Sequence, residues 1–267
     1  MDEQAVWSDL QAVRKQAPLV HNITNFVVMN NTANALLAVG ASPVMSHAVE
    51  EVADMATLAS ALVINIGTLS SDWVTAMGIA MAAARAKGIP IIFDPVGAGA
   101  TAFRTRTCHE LLAEHGAGVI RGNASEIMAL AGSTAQTKGV DSLAAATDAE
   151  AAAALLAEKY TCTVVVSGAV DLITATKVKK YVPNGHPLMP KVTGLGCTAT
   201  ALVGAFCAVN PDLPAAAAHA MAVMGIAGEI AAENSVGPGS FQVNFIDALF
   251  SLNDEQLASH WRTGVNS

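Results

Sequence analysis

Apolar and polar positions fall in blocks along this chain. Apolar runs rich in β-branched residues stand at residues 61–66, 90–93, 117–121 and 163–167. Alanine-rich stretches of helical character lie between and beside them, at residues 72–87, 107–115, 125–130 and 148–159. Strands that are apolar on both faces and alternate with helices predict a mostly parallel central sheet with helices on both faces, an α/β fold. Shorter, more polar strands are predicted at residues 172–176 and 178–182, with Pro183-Asn184-Gly185 as a turn. No stretch reads as a linker and no segment repeats, so a single domain spanning residues 1–267 is expected.

The carboxyl ends of the predicted strands carry the chemistry. Open α/β sheets bind ligands beyond these ends. Ile64-Asn65-Ile66 leads to Gly67-Thr68, Ile91-Ile92-Phe93 to Asp94-Pro95-Val96-Gly97, Val119-Ile120 to Arg121-Gly122-Asn123, and Val164-Val165-Val166 to Ser167-Gly168. Arg121 suits bidentate pairing with phosphate, or a structural ion pair. Ser167 suits a phosphate or ribose contact, or a plain turn. Asn123-Ala124-Ser125-Glu126 has capping-box spacing, yet Glu126 with Asp94 also makes a two-carboxylate set for water-rich magnesium. Asp94 alternatively caps the turn before Pro95.

Val192-Thr193-Gly194-Leu195-Gly196-Cys197 precedes an apolar helix predicted at about residues 198–209. The first turn of a helix has free N–H groups and partial positive charge, and small residues let an anion approach them. The segment is therefore either a phosphoryl-binding turn with Cys197 beside it, or a glycine turn ahead of a buried helix. Near the amino end, residues 18–31 set His21, Asn22, Thr24, Asn25, Asn30 and Asn31 inside an apolar stretch. A polar cluster this dense is costly to bury unpartnered, and with Met45 as an adaptable wall it predicts a small-molecule pocket. His21 reads as a structural histidine.

Composition narrows the partners. Hydrophobic residues make up 52% and charged residues 13%, which leaves few charges to cover a monomer's surface. The net charge of −8 without a basic patch excludes nucleic acid. The four cysteines show no zinc spacing, and Met1-Asp2-Glu3-Gln4 does not open a signal peptide, so a cytoplasmic protein is expected. Residues 193–209 and 215–232 are very apolar. Asn210-Pro211-Asp212-Leu213-Pro214 follows the first, and Lys191 is the only basic residue near either. Two buried helices are expected, and no membrane span. A P-loop motif and an early G-x-G-x-x-G are both absent.

On these residues the chain resembles the hydroxyethylthiazole kinases, thiamine-salvage enzymes with a ribokinase-like fold. The resemblance is carried by His21-Asn22-Ile23-Thr24-Asn25-Phe26-Val27, residues 40–45, Asp94-Pro95-Val96-Gly97-Ala98-Gly99-Ala100, Asn123-Ala124-Ser125-Glu126 and Gly194-Leu195-Gly196-Cys197. Residues 21–27 and Cys197 are its most particular parts, since most ribokinase-like kinases have an aspartate base where Cys197 stands. The resemblance implies ATP-dependent phosphorylation of 5-(2-hydroxyethyl)-4-methylthiazole with Mg2+. It implies that Arg121, Ser167 and Asn123 meet ATP and that Glu126 and Asp94 meet the metal. Met45 and Gly194 would line the thiazole site, with Asn25, Gly67 and Thr68 nearby. Cys197 would lie beside the reacting hydroxyl, with Gly194 and Gly196 in the anion hole. A homotrimer with the substrate site near a subunit boundary is also implied. Three other readings compete: a kinase for another small alcohol such as a pyrimidine or sugar, an acyl transferase using Cys197 with His21 or His186, and a non-catalytic thiazole-binding protein.

Overall fold

The computed structural model describes residues 2–132 and 142–262. Its strands are β1 (Leu19–Ile23), β2 (Ser42–Met45), β3 (Ala61–Asn65), β4 (Ile91–Asp94), β5 (Val119–Asn123), β6 (Thr163–Ser167), β7 (Asp171–Ala175) and β8 (Val178–Val182). Its helices are α1 (Glu3–Gln16), α2 (Met29–Val39), α3 (Val52–Leu58), α4 (Ser71–Lys87), α5 (Ala102–His115), α6 (Ala124–Leu130), α7 (Ser142–Tyr160), α8 (Leu195–Cys207), α9 (Leu213–Glu233), α10 (Pro238–Ser251) and α11 (Asp254–His260). The strands form one 8-stranded sheet in the order β2-β1-β3-β4-β5-β6-β7-β8. β1 to β6 run parallel, and β7 and β8 add an antiparallel hairpin. The predicted α/β architecture is the observed one.

Strand pleating divides the core in two. Val20, Val63, Ile92, Val119, Val165 and Ile173 pack with α1, α2, α8, α9 and α10. Ile23, Leu62, Ile64, Phe93, Ile120, Val164 and Leu172 pack on the other face with α3 to α7. Alternation of successive side chains across the sheet produces this division. It continues beyond the last apolar residue of each strand. Two positions after Val20, Val63, Ile92, Val119 and Val165 come Asn22, Asn65, Asp94, Arg121 and Ser167. β7 runs the other way, so Asp171, two positions before Ile173, joins the same row. Six polar residues thus lie on the α8 face at the carboxyl edge of the sheet. From β1 the chain crosses to β2 on one side and then to β3 on the other, which makes the carboxyl ends of β1 and β3 a topological switch point.

Several boundaries differ from expectation. β4 and β5 include Asp94 and Asn123, so these residues are held by the ladder and do not follow it. α8 begins at Leu195, not residue 198, because Gly194 turns the chain. α5 begins at Ala102, where the Thr101 side chain accepts from Arg104 N. The polar segment near the amino end contains β1, and residues 42–45 form β2. α9 is long and apolar enough to cross a membrane, but 89% of its apolar window is buried within the protein, as expected of a core helix.

Candidate active site

The amino end of α8 is built on Gly194, whose φ of +85° is a left-handed conformation open to glycine. A Cβ there would come within 2.7 Å of Val28 Cγ1. The first intrahelical bond runs from Thr198 N to Gly194 O, at 2.8 Å. The amides of Leu195, Gly196 and Cys197 precede it and have no carbonyl within the helix. The Arg121 guanidinium stands against this turn: a Cβ on Gly196 would lie 3.1 Å from its Nη1. Arg121 is only 7% exposed, its Nε has no hydrogen-bond partner, and no carboxylate is at ion-pair distance from it among the described residues. A buried cation with free donors beside free helix amides is a receptor for an anion.

A hydrogen-bond chain runs from Cys197 into the sheet. Asn25 Nδ2 donates to Cys197 Sγ at 3.4 Å and to Asn65 Oδ1 at 2.9 Å. Gly67 N also donates to Asn65 Oδ1, at 2.9 Å. Asn65 Nδ2 donates to Asp94 Oδ2 at 2.9 Å, and Thr200 Oγ1 donates to the same oxygen at 2.7 Å. Asp94 Oδ1 is buried without a partner. Burial raises the Asp94 pKa to about 7, although Arg121 and its hydrogen bonds pull it back. Burial, with Asp94 adding, pushes the Cys197 thiol up to about 11 despite the Asn65 and Asn25 amides. Cys197 is therefore a neutral thiol at neutral pH.

Asn123 and Glu126 form a complete capping box at α6. Glu126 N donates to Asn123 Oδ1 at 3.0 Å, and Asn123 N donates to Glu126 Oε2 at 2.9 Å. Glu126 Oε1 accepts from Gly97 N at 2.9 Å, which ties the loop after Asp94 to α6. Ser167 Oγ donates to Gly122 O at 3.3 Å. Thr68 Oγ1 accepts from Phe26 N at 3.2 Å, joining the loops after β1 and β3, and Asn25 Oδ1 accepts from Val27 N at 3.1 Å within the first of them. Met45 ends the edge strand β2 in register with Asn22 and makes no hydrogen bond into this network.

The structure thus joins Asn25, Gly67, Asp94 and Cys197 in one network, with Gly194, Gly196 and Arg121 around the first turn of α8. His21 faces the opposite layer and donates Nε2–H to Ser46 O at 2.9 Å, while His186 Nδ1 accepts from Leu188 N. Neither histidine is bonded to Cys197, and burial disfavours its thiolate. Asn65, Thr200 and Arg104 carry no role in the sequence pattern. Arg104 donates to Ile66 O, Val96 O and Gly67 O at 2.7–2.8 Å and clamps two of the loops. A separate concavity of about 990 Å³ opens at the other edge of the sheet, between Ile91, His115, Gly118, Lys159 and Cys207, and contains none of these groups.

Comparison with known proteins adds the decisive observation. The model of the hydroxyethylthiazole kinase family matches residues 10–255. The chain belongs to the hydroxyethylthiazole kinase family. It is 57% identical over 257 residues to a hydroxyethylthiazole kinase of Syntrophus aciditrophicus, covering 96% of this chain and 95% of that one. The solved hydroxyethylthiazole kinase protein of Pyrococcus horikoshii OT3 superposes with a TM-score of 0.89 at 46% identity, covering 96% of each chain. A ribokinase-like superfamily protein of Enterococcus faecalis superposes with a TM-score of 0.62 at 13% identity, over 93% of this chain and 94% of that one. That last likeness shows the ribokinase-like fold alone.

Proposed function

We propose that this chain transfers the γ-phosphoryl group of ATP to the primary alcohol of 5-(2-hydroxyethyl)-4-methylthiazole, a thiamine-salvage reaction. The observation that carries the reading is the unpartnered Arg121 guanidinium against the free first turn of α8, in a chain of this family. Phosphoryl transfer has a loose transition state, so positioning and charge neutralisation supply most of the catalysis. The amides of Leu195, Gly196 and Cys197 would stabilise the transferring group, each such donor being worth about 3 kcal/mol. Arg121 takes phosphate oxygens, with Asn123 and Ser167 beside the nucleotide.

Met45, Gly194, Asn25, Gly67 and Thr68 line the thiazole side, and the Asn25 amide fixes the Cys197 thiol next to the alcohol. A neutral thiol is a weak base, but little deprotonation is needed in a loose transition state. Magnesium fits this donor set. Asp94 Oδ1 is an unpartnered carboxylate oxygen, and the Glu126 oxygens, each accepting one backbone N–H, retain lone pairs for metal-bound water. Bound there, the ion supplies charge neutralisation for the phosphates. The same reading takes the chain as a single cytoplasmic domain working as a homotrimer. The sparse surface charge supports association.

The test is ADP release from ATP with magnesium, measured alone and with each of several alcohols: the thiazole, a hydroxymethylpyrimidine and a sugar. Release with the thiazole alcohol and not without it is expected. Equal release with the pyrimidine or sugar favours the alternative acceptor, and equal release without any alcohol contradicts the reading. Sedimentation of the same sample checks the trimer.

A further inference from the structure

Thr200 is buried on α8, one turn of helix after Cys197, and takes no part in the chemistry described so far. A buried helical threonine ordinarily returns its hydroxyl hydrogen to the carbonyl one turn before it. Here that carbonyl, Gly196 O, is at 3.4 Å, while Asp94 Oδ2 is at 2.7 Å. The single hydroxyl hydrogen therefore crosses from α8 to β4. Asn65 Nδ2 donates to the same oxygen at 2.9 Å from the neighbouring strand, where Asn65 and Asp94 are paired in register. Two donors from two different elements thus converge on Oδ2, and Oδ1 is buried with none. A carboxylate turns easily about its Cβ–Cγ bond, and a half-turn exchanges its oxygens. Two donors on one oxygen remove that freedom and leave the other oxygen with its lone pairs unused.

We propose that Thr200 is a positioning residue for the divalent metal. By holding Asp94 Oδ2 it presents Oδ1 to the ion, and because it stands on α8 it sets that carboxylate against the helix turn that takes the phosphoryl group. The proposal rests on the reading of Asp94 as a magnesium residue. Groups that orient a metal ligand typically govern about 10–100-fold in metal affinity. A threonine that only packs the core affects stability and leaves metal affinity alone.

Thr200→Val keeps the shape and removes the donor, whereas Thr200→Ser keeps the donor and removes a methyl group. Thr200→Ala replaces the valine variant if that one does not fold. Thermal unfolding, the Kd of Mn2+ in the presence of ADP and the KM for the thiazole alcohol are measured for wild type, these variants and Asp94→Asn. The Mn2+ Kd is read from the electron paramagnetic resonance signal of the free ion and needs no turnover. Thr200→Val is expected to raise the Mn2+ Kd about tenfold, with the thiazole KM within about twofold of wild type. Thr200→Ser is expected to stay within about twofold of wild type in both. An Mn2+ Kd within about twofold of wild type in folded Thr200→Val overturns the proposal. A loss in Thr200→Ser as large as in Thr200→Val also overturns it, since that loss comes from packing and not from the hydroxyl. If Asp94→Asn weakens Mn2+ and Thr200→Val does not, the magnesium reading of Asp94 stands and only the role of Thr200 falls. If Asp94→Asn binds Mn2+ as wild type does, both fall.

Discussion

Glu126 serves the fold, and on the proposed reading it serves the reaction as well. Both of its oxygens accept backbone N–H groups, from Gly97 and from Asn123. Glutamine has a single acceptor oxygen, so Glu126→Gln leaves one of these amides facing an NH2 group. The expected outcome is a stability loss of about 1 kcal/mol in urea titrations, together with a weaker magnesium dependence of the rate. An unchanged magnesium titration and unchanged kcat would remove Glu126 from the mechanism. Gly194 is constrained in two independent ways. Alanine at φ +85° costs about 1–2 kcal/mol, and its Cβ collides with Val28. Gly194→Ala should fold and yet lose at least about tenfold in kcat, because the turn that presents the amides must move. Full activity in this variant would dissociate the α8 turn from catalysis.

At the scale of elements, a buried polar contact joins α9 to α1 beside their apolar packing. His219 Nδ1–H donates to Asp9 Oδ2 at 2.6 Å, and Asn210 Nδ2 donates to the same oxygen at 2.7 Å. Burial lowers the His219 pKa, and Asp9 only partly restores it, so this is a hydrogen bond of a neutral imidazole and not an ion pair. As pH falls through about 6.5 the unfolded chain takes up a proton that the folded chain refuses, and stability falls. The stability lost between about pH 7.5 and 5.5 should be smaller in His219→Gln than in wild type. Equal losses in urea midpoints would place the proton uptake elsewhere.

The elements also differ in how far the sequence discloses them. β3 to β6 are legible because an interior parallel strand must be apolar on both faces, and the alanine-rich helices beside them follow. β1 is not legible, since His21 and Asn22 interrupt it, and β2 holds Pro43 in only four residues, a choice an edge strand tolerates. Asn30 and Asn31 weaken the helical signal of α2, which forms against α8 and α10. Asp94, Arg121 and Cys197 stand out because each follows an apolar run or stands at the start of a helix. Asn65, Thr200 and Arg104 acquire their meaning from partners far along the chain.

Across the whole molecule, the sheet's alternation does two tasks. Its apolar positions feed two separate cores, and its last positions on one face set Asn65, Asp94, Arg121, Ser167 and Asp171 in a row below α8. The acceptor end of the row meets Asn25 and Cys197, and the other end meets the hairpin of β7 and β8. On the proposed reading the phosphoryl group passes directly from nucleotide to alcohol, and Cys197 positions the alcohol without bonding to phosphorus. Cys197→Ser should retain measurable activity. Cys197→Asp should be tolerated and can exceed wild type, because a carboxylate accepts a proton more readily at neutral pH than a thiol raised to about 11. The most direct measurement follows γ-labelled ATP mixed with magnesium, the thiazole alcohol and the wild-type protein or either Cys197 variant. The account predicts label on the thiazole's hydroxyl oxygen, one ADP per phosphate ester, and no mass gain on the protein. Label on Cys197, with both folded variants inactive, would contradict direct transfer, and ADP formed without the thiazole ester would contradict the proposed acceptor.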